Sequence, residues 1–192
     1  MKVVAFNGSP KPNGNTAHML KMALEELAAE GIETELVQVG SRPIHGCAAC
    51  YKCKENQDKR CIFKDDPVNE YIQKMSEADG ILLGSPTYFS DVSAQMKAFI
   101  DRTGVVTRAN GNLLRRKVGA GVVAVRRAGA LHAFSSLNYW FLIAEMIVPG
   151  SDYWNVGVGL NPGDFLTDEE GMETIRKLGR NMAWLLQKTH SE

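Results

Sequence analysis

The four cysteines of this chain all fall between Cys47 and Cys61. They read Cys47-Ala48-Ala49-Cys50-Tyr51-Lys52-Cys53 and then Cys61, a C-x2-C-x2-C-x7-C run. Three thiolates this close can wrap one face of an iron–sulfur cubane, and a fourth further along closes the cage. Two other chemistries are open to the same residues. Zinc more often takes two separated C-x2-C knuckles, and a thiol–disulfide pair needs only two cysteines, usually at the start of a helix. In a reducing compartment such clustering favours metal ligation over disulfides. His45 is close by, but a full set of four thiolates leaves it no ligand role.

Three further segments could do chemistry together. Gly8-Ser9-Pro10-Lys11-Pro12-Asn13-Gly14-Asn15-Thr16 is small and hydroxyl-rich ahead of a helical pattern. Free backbone N–H groups and the positive end of a helix dipole suit a phosphate there. The segment is not a Walker A loop, because the glycines are one residue too far apart and Asn15 stands where lysine would. It is not G-x-G-x-x-G either, so a terminal monophosphate fits better than a triphosphate or a dinucleotide. Read alone, it is equally a tight turn with an N-cap. Ser85-Pro86-Thr87-Tyr88-Phe89-Ser90-Asp91 sets two aromatics at a strand end, where they can line a flat ligand or simply cap the core. Arg126-Arg127-Ala128-Gly129 is either a solvated basic turn or a set of donors at the electron-rich edge of that ligand.

The elements that must position these segments alternate strand and helix. Strands are expected at Lys2–Asn7, Glu33–Val39, Asp79–Gly84, Lys117–Val125 and Tyr153–Val158. Helices are expected at Thr16–Glu30, Pro67–Glu77, Val92–Thr103, Ala130–Ile147 and Thr167–Thr189, the last with Thr167 and Glu170 spaced as a capping box. Five βα units imply a doubly wound parallel sheet of order 2-1-3-4-5 in one domain spanning residues 1–192. The cysteine-rich stretch, about residues 40–66, is an insertion after strand two, longer than an ordinary βα loop. Ligands of such sheets bind beyond the carboxyl ends of the strands, where the three segments lie.

Composition narrows the classes. Lys+Arg and Asp+Glu are 22 each, so no net basic field recommends a nucleic-acid partner. The apolar runs near 118–125 and 141–148 are far too short to span a membrane. The N-terminus reads as a strand entering a turn and not as a signal peptide, so a cytoplasmic protein is expected.

Taken together, these segments resemble a known family. Gly8-Ser9-Pro10 with Gly14-Asn15-Thr16, then Pro86-Thr87-Tyr88, Ala94-Gln95-Met96-Lys97 and Asp101-Arg102, resemble the flavodoxin-like NAD(P)H-dependent FMN reductases over nearly the whole chain. The resemblance implies FMN, with Ser9, Lys11, Asn15, Thr16 and Ala17 at its phosphate. Pro86, Thr87, Tyr88 and Phe89 would meet the ring, and Arg126, Arg127, Ala128 and Gly129 would border it. The cysteine run resembles the iron–sulfur flavoprotein branch of that family. That implies a [4Fe–4S] cluster on Cys47, Cys50, Cys53 and Cys61, a homodimer or homotetramer, a ferredoxin-like or NAD(P)H donor and a small-molecule acceptor. No acid–base catalytic residue is expected of an electron converter. Two other functions compete: an NAD(P)H-dependent FMN or quinone reductase without a functional cluster, and a flavin-binding sensor whose cysteine loop meets a partner.

Overall fold

The computed structural model describes residues 1–190. Its elements run β1 (Lys2–Asn7), α1 (Asn15–Ala29), β2 (Glu33–Gln38), α2 (Lys52–Asn56), α3 (Val68–Glu77), β3 (Gly80–Pro86), α4 (Ala94–Ala109), β4 (Val118–Val125), α5 (Ala130–Ile143), β5 (Val156–Val158), a 3-10 turn (Asp164–Thr167) and α6 (Glu169–His190). The five strands are all parallel, in the order β2-β1-β3-β4-β5. This is the flavodoxin-like topology that the alternation of elements implies.

The central strands are apolar on both faces because helices cover both. On β1, Val3 and Ala5 join the core under α1 and α6, while Val4 and Phe6 join the core under α3, α4 and α5. Phe6, Tyr71 and Phe99 pack as an aromatic trio in the second core, with centroids 5.0–5.9 Å apart. Among the described residues no helix is long and apolar enough to cross a membrane.

Several boundaries differ from the sequence expectation, each for a local reason. Helix α4 runs on past Thr103 to Ala109. Gly104 does not break it, because the bare glycine lets Trp140 pack close, and Trp140 Nε1 donates to the Ile100 carbonyl at 2.9 Å. Helix α5 stops at Ile143, and Glu145 turns left-handed at φ 55°. Ile147 then exchanges backbone hydrogen bonds with Lys117 and Gly119 and extends the sheet. The last strand is only Val156–Val158. At α6 the cap is Asp168, whose Oδ1 accepts from the Gly171 amide at 3.0 Å, while the Thr167 hydroxyl turns back to the Asp164 carbonyl. The N-cap thus falls one residue later than expected, and with Gly171 at N3 it is a simple cap and not a capping box.

Candidate functional site

The carboxyl ends of the strands open into a cavity of about 220 Å³. Ser9, Lys11, Gly14, Asn15 and Thr16 line it from the first loop, Pro86, Thr87 and Tyr88 from the second, and Arg126 from the third. Gly40 lets the chain leaving β2 press against the first loop, since a Cβ there would meet the Gly8 and Ser9 backbone at 2.3–2.4 Å. The loop is further tied by the Ser9 carbonyl accepting from Gln38 Nε2 at 2.6 Å and by Ser93 Oγ donating to the Gly8 carbonyl at 2.7 Å.

The two ends of the cavity differ in their donors. Helix α1 begins on Gly14 with no side chain capping it and no acid in its first turn. Its leading N–H groups therefore face the cavity as a ready anion site. At the end formed by the second loop, the Thr87 amide is spent on the Ala124 carbonyl at 2.8 Å, and the Tyr88 amide on the Asp91 carbonyl at 2.8 Å. Phe89 and Ser90 close a tight hairpin with φ of 49° and 64°, the positive pair that a type I′ turn requires. A left-handed phenylalanine costs about 1–2 kcal/mol, and its ring stands fully exposed. The Thr87 hydroxyl is buried with no hydrogen-bond partner. An orphaned donor on the wall of a cavity is what a carbonyl or ring nitrogen of a flat ligand would satisfy.

A second, smaller and largely apolar cavity lies against α4. Cys47, Cys50, Cys53 and Cys61 all line it, together with Phe63, Arg102, Val105 and Val106. All four cysteines are free thiols. No three of their sulfurs fall within 4.8 Å of one another; among the described residues only His45, Asp65 and Asp66 do so. A tetrahedral zinc at about 2.3 Å from each sulfur needs them about 3.8 Å apart, and three of these sulfurs are not gathered that closely here. The His45, Asp65 and Asp66 set is already paired, His45 Nε2 with Asp65 at 3.0 Å and Asp66 with Arg102.

The cysteine segment is held from outside by side-chain amides. Asn110 donates to the Cys53 carbonyl at 3.2 Å and accepts from the Lys59 amide at 2.8 Å. Asn69 accepts from the Cys61 amide at 2.7 Å and donates to the Cys61 and Phe63 carbonyls. Ala49, Tyr51, Gln57 and Lys59 all take positive φ, so the backbone here is shaped against its preference. Burial pushes the Cys53 thiol up, and the nearby Cys61 and Cys47 thiols push it further, against help from the Lys54 amide. A bound metal reverses that balance by holding the thiolate.

Most of the expected site residues come together, but not all. Ala17 is buried behind the first loop, and Phe89, Arg127, Ala128 and Gly129 lie outside the cavity lining. Gly129 instead admits Ser90, whose Oγ would lie 2.6 Å from a Cβ there. Asn15 spends its side-chain carbonyl on the Gly163 and Phe165 amides at 2.9 and 3.3 Å, tying the last loop to the first. That last loop contributes Gly159, Leu160 and Pro162 to the wall. Sequence reasoning passed over it, although it also follows a strand's carboxyl end. Arg102 belongs to one of the family motifs in the sequence, but its burial beside the cysteines carries no signal there.

The profile of the NADPH-dependent FMN reductase family matches residues 1–161. An iron–sulfur flavoprotein of Methanocaldococcus jannaschii is 43% identical over 190 residues, covering 95% of this chain and 96% of that one. An iron–sulfur flavoprotein of Methanosarcina thermophila is 33% identical over 189 residues, covering 97% and 96%. Among solved structures, RosB with bound 8-demethyl-8-formylriboflavin-5′-phosphate superposes with a TM-score of 0.77 at 18% identity, covering 98% of this chain and 79% of that one. The NAD(P)H:quinone oxidoreductase of Methanothermobacter marburgensis gives 0.69 at 17%, covering 95% and 98%. At those identities the two structures attest the fold alone.

Proposed function

This chain belongs to the NADPH-dependent FMN reductase family, in its iron–sulfur flavoprotein branch, and from that premise we propose that it passes electrons between FMN and a [4Fe–4S] cluster. It is a flavin-dependent oxidoreductase, and FMN is the flavin of its family. The finer assignments are our own. FMN exchanges two electrons at once or one at a time, and a cluster carries one, so the pair converts between the two modes.

The chain's own residues do the rest. The uncapped start of α1, with Ser9, Lys11 and Thr16, would hold the phosphate. Pro86, Thr87 and Tyr88 would flank the ring, with the Thr87 hydroxyl donating to it. Arg126 would place positive charge at the far edge. Cys47, Cys50, Cys53 and Cys61 would hold the cluster, with Val105, Val106 and Phe63 as apolar neighbours. Four free thiols lining one largely apolar cavity is the observation that carries the cluster reading.

The donor class is a ferredoxin-like protein or NAD(P)H, and the acceptor is a small molecule. The reducing cytoplasm is the compartment that keeps such thiols free. Self-association completes the proposal. Helix α5 buries Leu137, Trp140 and Phe141 inward, yet also exposes Leu131, Leu142 and Ile143. A helix apolar on both sides is covered on both sides, and a second copy of the chain supplies that cover.

Purification under argon tests the reading. We expect about four iron and four sulfide per chain, as a cubane requires, with FMN. Cys50→Ser should lose the iron and keep the flavin. Stoichiometric zinc without acid-labile sulfide would exclude the cluster.

A further inference from the structure

Arg102 is fully buried on α4, 1% exposed. A guanidinium has five N–H donors and stays charged inside a protein. Nη1 is spent: it donates to Asp66 Oδ2 in a short contact and to the His45 carbonyl at 3.3 Å. Asp66 is equally buried and holds the His45 amide at 3.1 Å and the Val68 amide at 3.2 Å, so its oxygens are committed. The Phe63 ring covers the guanidinium at 5.2 Å. Nε and Nη2 have no partner at all. Three charged N–H groups, five less the two on Nη1, are therefore idle in a dry site. The same side chain lines the cavity of the four cysteines. Cys61 lies close enough to favour the charged guanidinium, though without hydrogen-bond geometry to it.

We propose that Arg102 is a positioning residue for the sulfur cluster, whose Nε–H and Nη2–H groups donate to sulfur on the Cys61 side and set its reduction potential. The inference rests on the cluster reading above. The chemistry is direct. Reduction adds one electron to an already anionic group, with no bond made or broken. The electron comes from the flavin or from the ferredoxin-like donor, and no proton moves because arginine does not titrate. A fixed buried cation with hydrogen bonds to sulfur favours the more negative state, since cluster potentials follow charge, hydrogen bonding and exposure. Asp66 offsets the charge in part and fixes the guanidinium beside the cavity that Arg102 lines.

The test is a redox titration of the anaerobic holoprotein, read by the cluster's optical and paramagnetic signals with the flavin couple as internal control. Two variants are used. Arg102→Lys keeps a charge beside Asp66 but loses the fork of donors. Asp66→Asn with Arg102→Gln removes both charges and leaves no unpaired carboxylate. We expect the cluster of the double variant to be at least tenfold harder to reduce at a fixed potential, 59 mV for one electron, with Arg102→Lys between it and the parent. The flavin couple should stay put. Loss of iron from the double variant with FMN retained also supports the contact. Cluster-loaded variants whose reduction equilibrium moves less than twofold overturn it. So does a double variant that loses flavin and iron together, which marks a role in the fold. A parent protein without iron removes the cluster reading itself and is seen before any variant is made.

Discussion

Replacing Thr87 by valine should make two measurements move in opposite directions. The hydroxyl is buried and unpartnered, while the rest of the residue is well used, its amide closing the β3–β4 ladder onto the Ala124 carbonyl. Valine keeps the shape and the β-branch and deletes only the orphan. An unsatisfied buried polar group costs about 1–3 kcal/mol, so the flavin-free variant should be more stable by up to that amount. In a chain of this size each kcal/mol moves the melting temperature by roughly 2–4 °C. Binding should go the other way. A neutral hydrogen bond is worth about 0.5–1.5 kcal/mol, or roughly 2- to 12-fold in Kd. Riboflavin should lose as much as FMN, because Thr87 sits away from the first loop. Thermal unfolding of the flavin-free protein and flavin fluorescence titrations give both numbers. A flavin-free variant less stable than its parent, or one that binds FMN unchanged, would refute the assignment of this hydroxyl to the ring.

The complementary change is Thr16→Val, in the buried first turn of α1. It should weaken FMN by roughly 10- to 150-fold, the value of a hydrogen bond to a charged group, and leave riboflavin nearly alone; equal losses would move the phosphate elsewhere. Asp66→Asn should cost about 3–5 kcal/mol near neutral pH by stranding the buried Arg102 charge. The carboxyl sits below its ordinary value of 3.8: burial pushes it up, but the Arg102 guanidinium and the His45 and Val68 amides outweigh that. Its stabilisation is therefore complete above pH 3.8 and fades as pH falls through the lower folded value. Denaturant unfolding of parent and variant should converge in that acid range, and a gap that stays constant would show that the pair is not its source.

How far the sequence reaches is set by the range of each interaction. Val3 to Phe6 and Val118 to Val125 announce buried parallel strands because both faces are covered by neighbours of the same kind. The sheet order then follows from connection rules. The first two loops are legible because a strand end, a turn and a helix start are all local. What stays hidden is non-local. The alternation of elements could not show that Asn15 would spend its carbonyl on Gly163, or that Gly129 makes room for Ser90. Gly104 reads as a helix stop until Trp140, distant in sequence, is seen to need the space. The cysteine spacing shows which residues can share a group, but not the apolar wall of Val105, Val106 and Phe63 or the buried Arg102–Asp66 pair.

Helix α4 joins these parts physically. Its N-cap, Ser93, accepts from the Met96 amide at 3.2 Å, donates to the Gly8 carbonyl, and gives its own amide to Ser85 Oγ at 2.9 Å. The start of the helix is thus fastened to the first loop and to the strand leading into the second. Nine residues on, about 13 Å along the axis, Arg102 meets the cysteine cavity. Beyond it the Ala109 carbonyl and Asn110 fasten Gln57, Cys53 and Lys59. The left-handed residues of this region fall in the cysteine segment and in the Phe89–Ser90 turn, and none falls within α4. Strained backbone persists only where rigid surroundings over-determine it. A regular helix fastened at both ends supplies that rigidity. The first loop and the cysteine segment are therefore both fastened to one element, as the proposed exchange of electrons between two redox groups without movement would require.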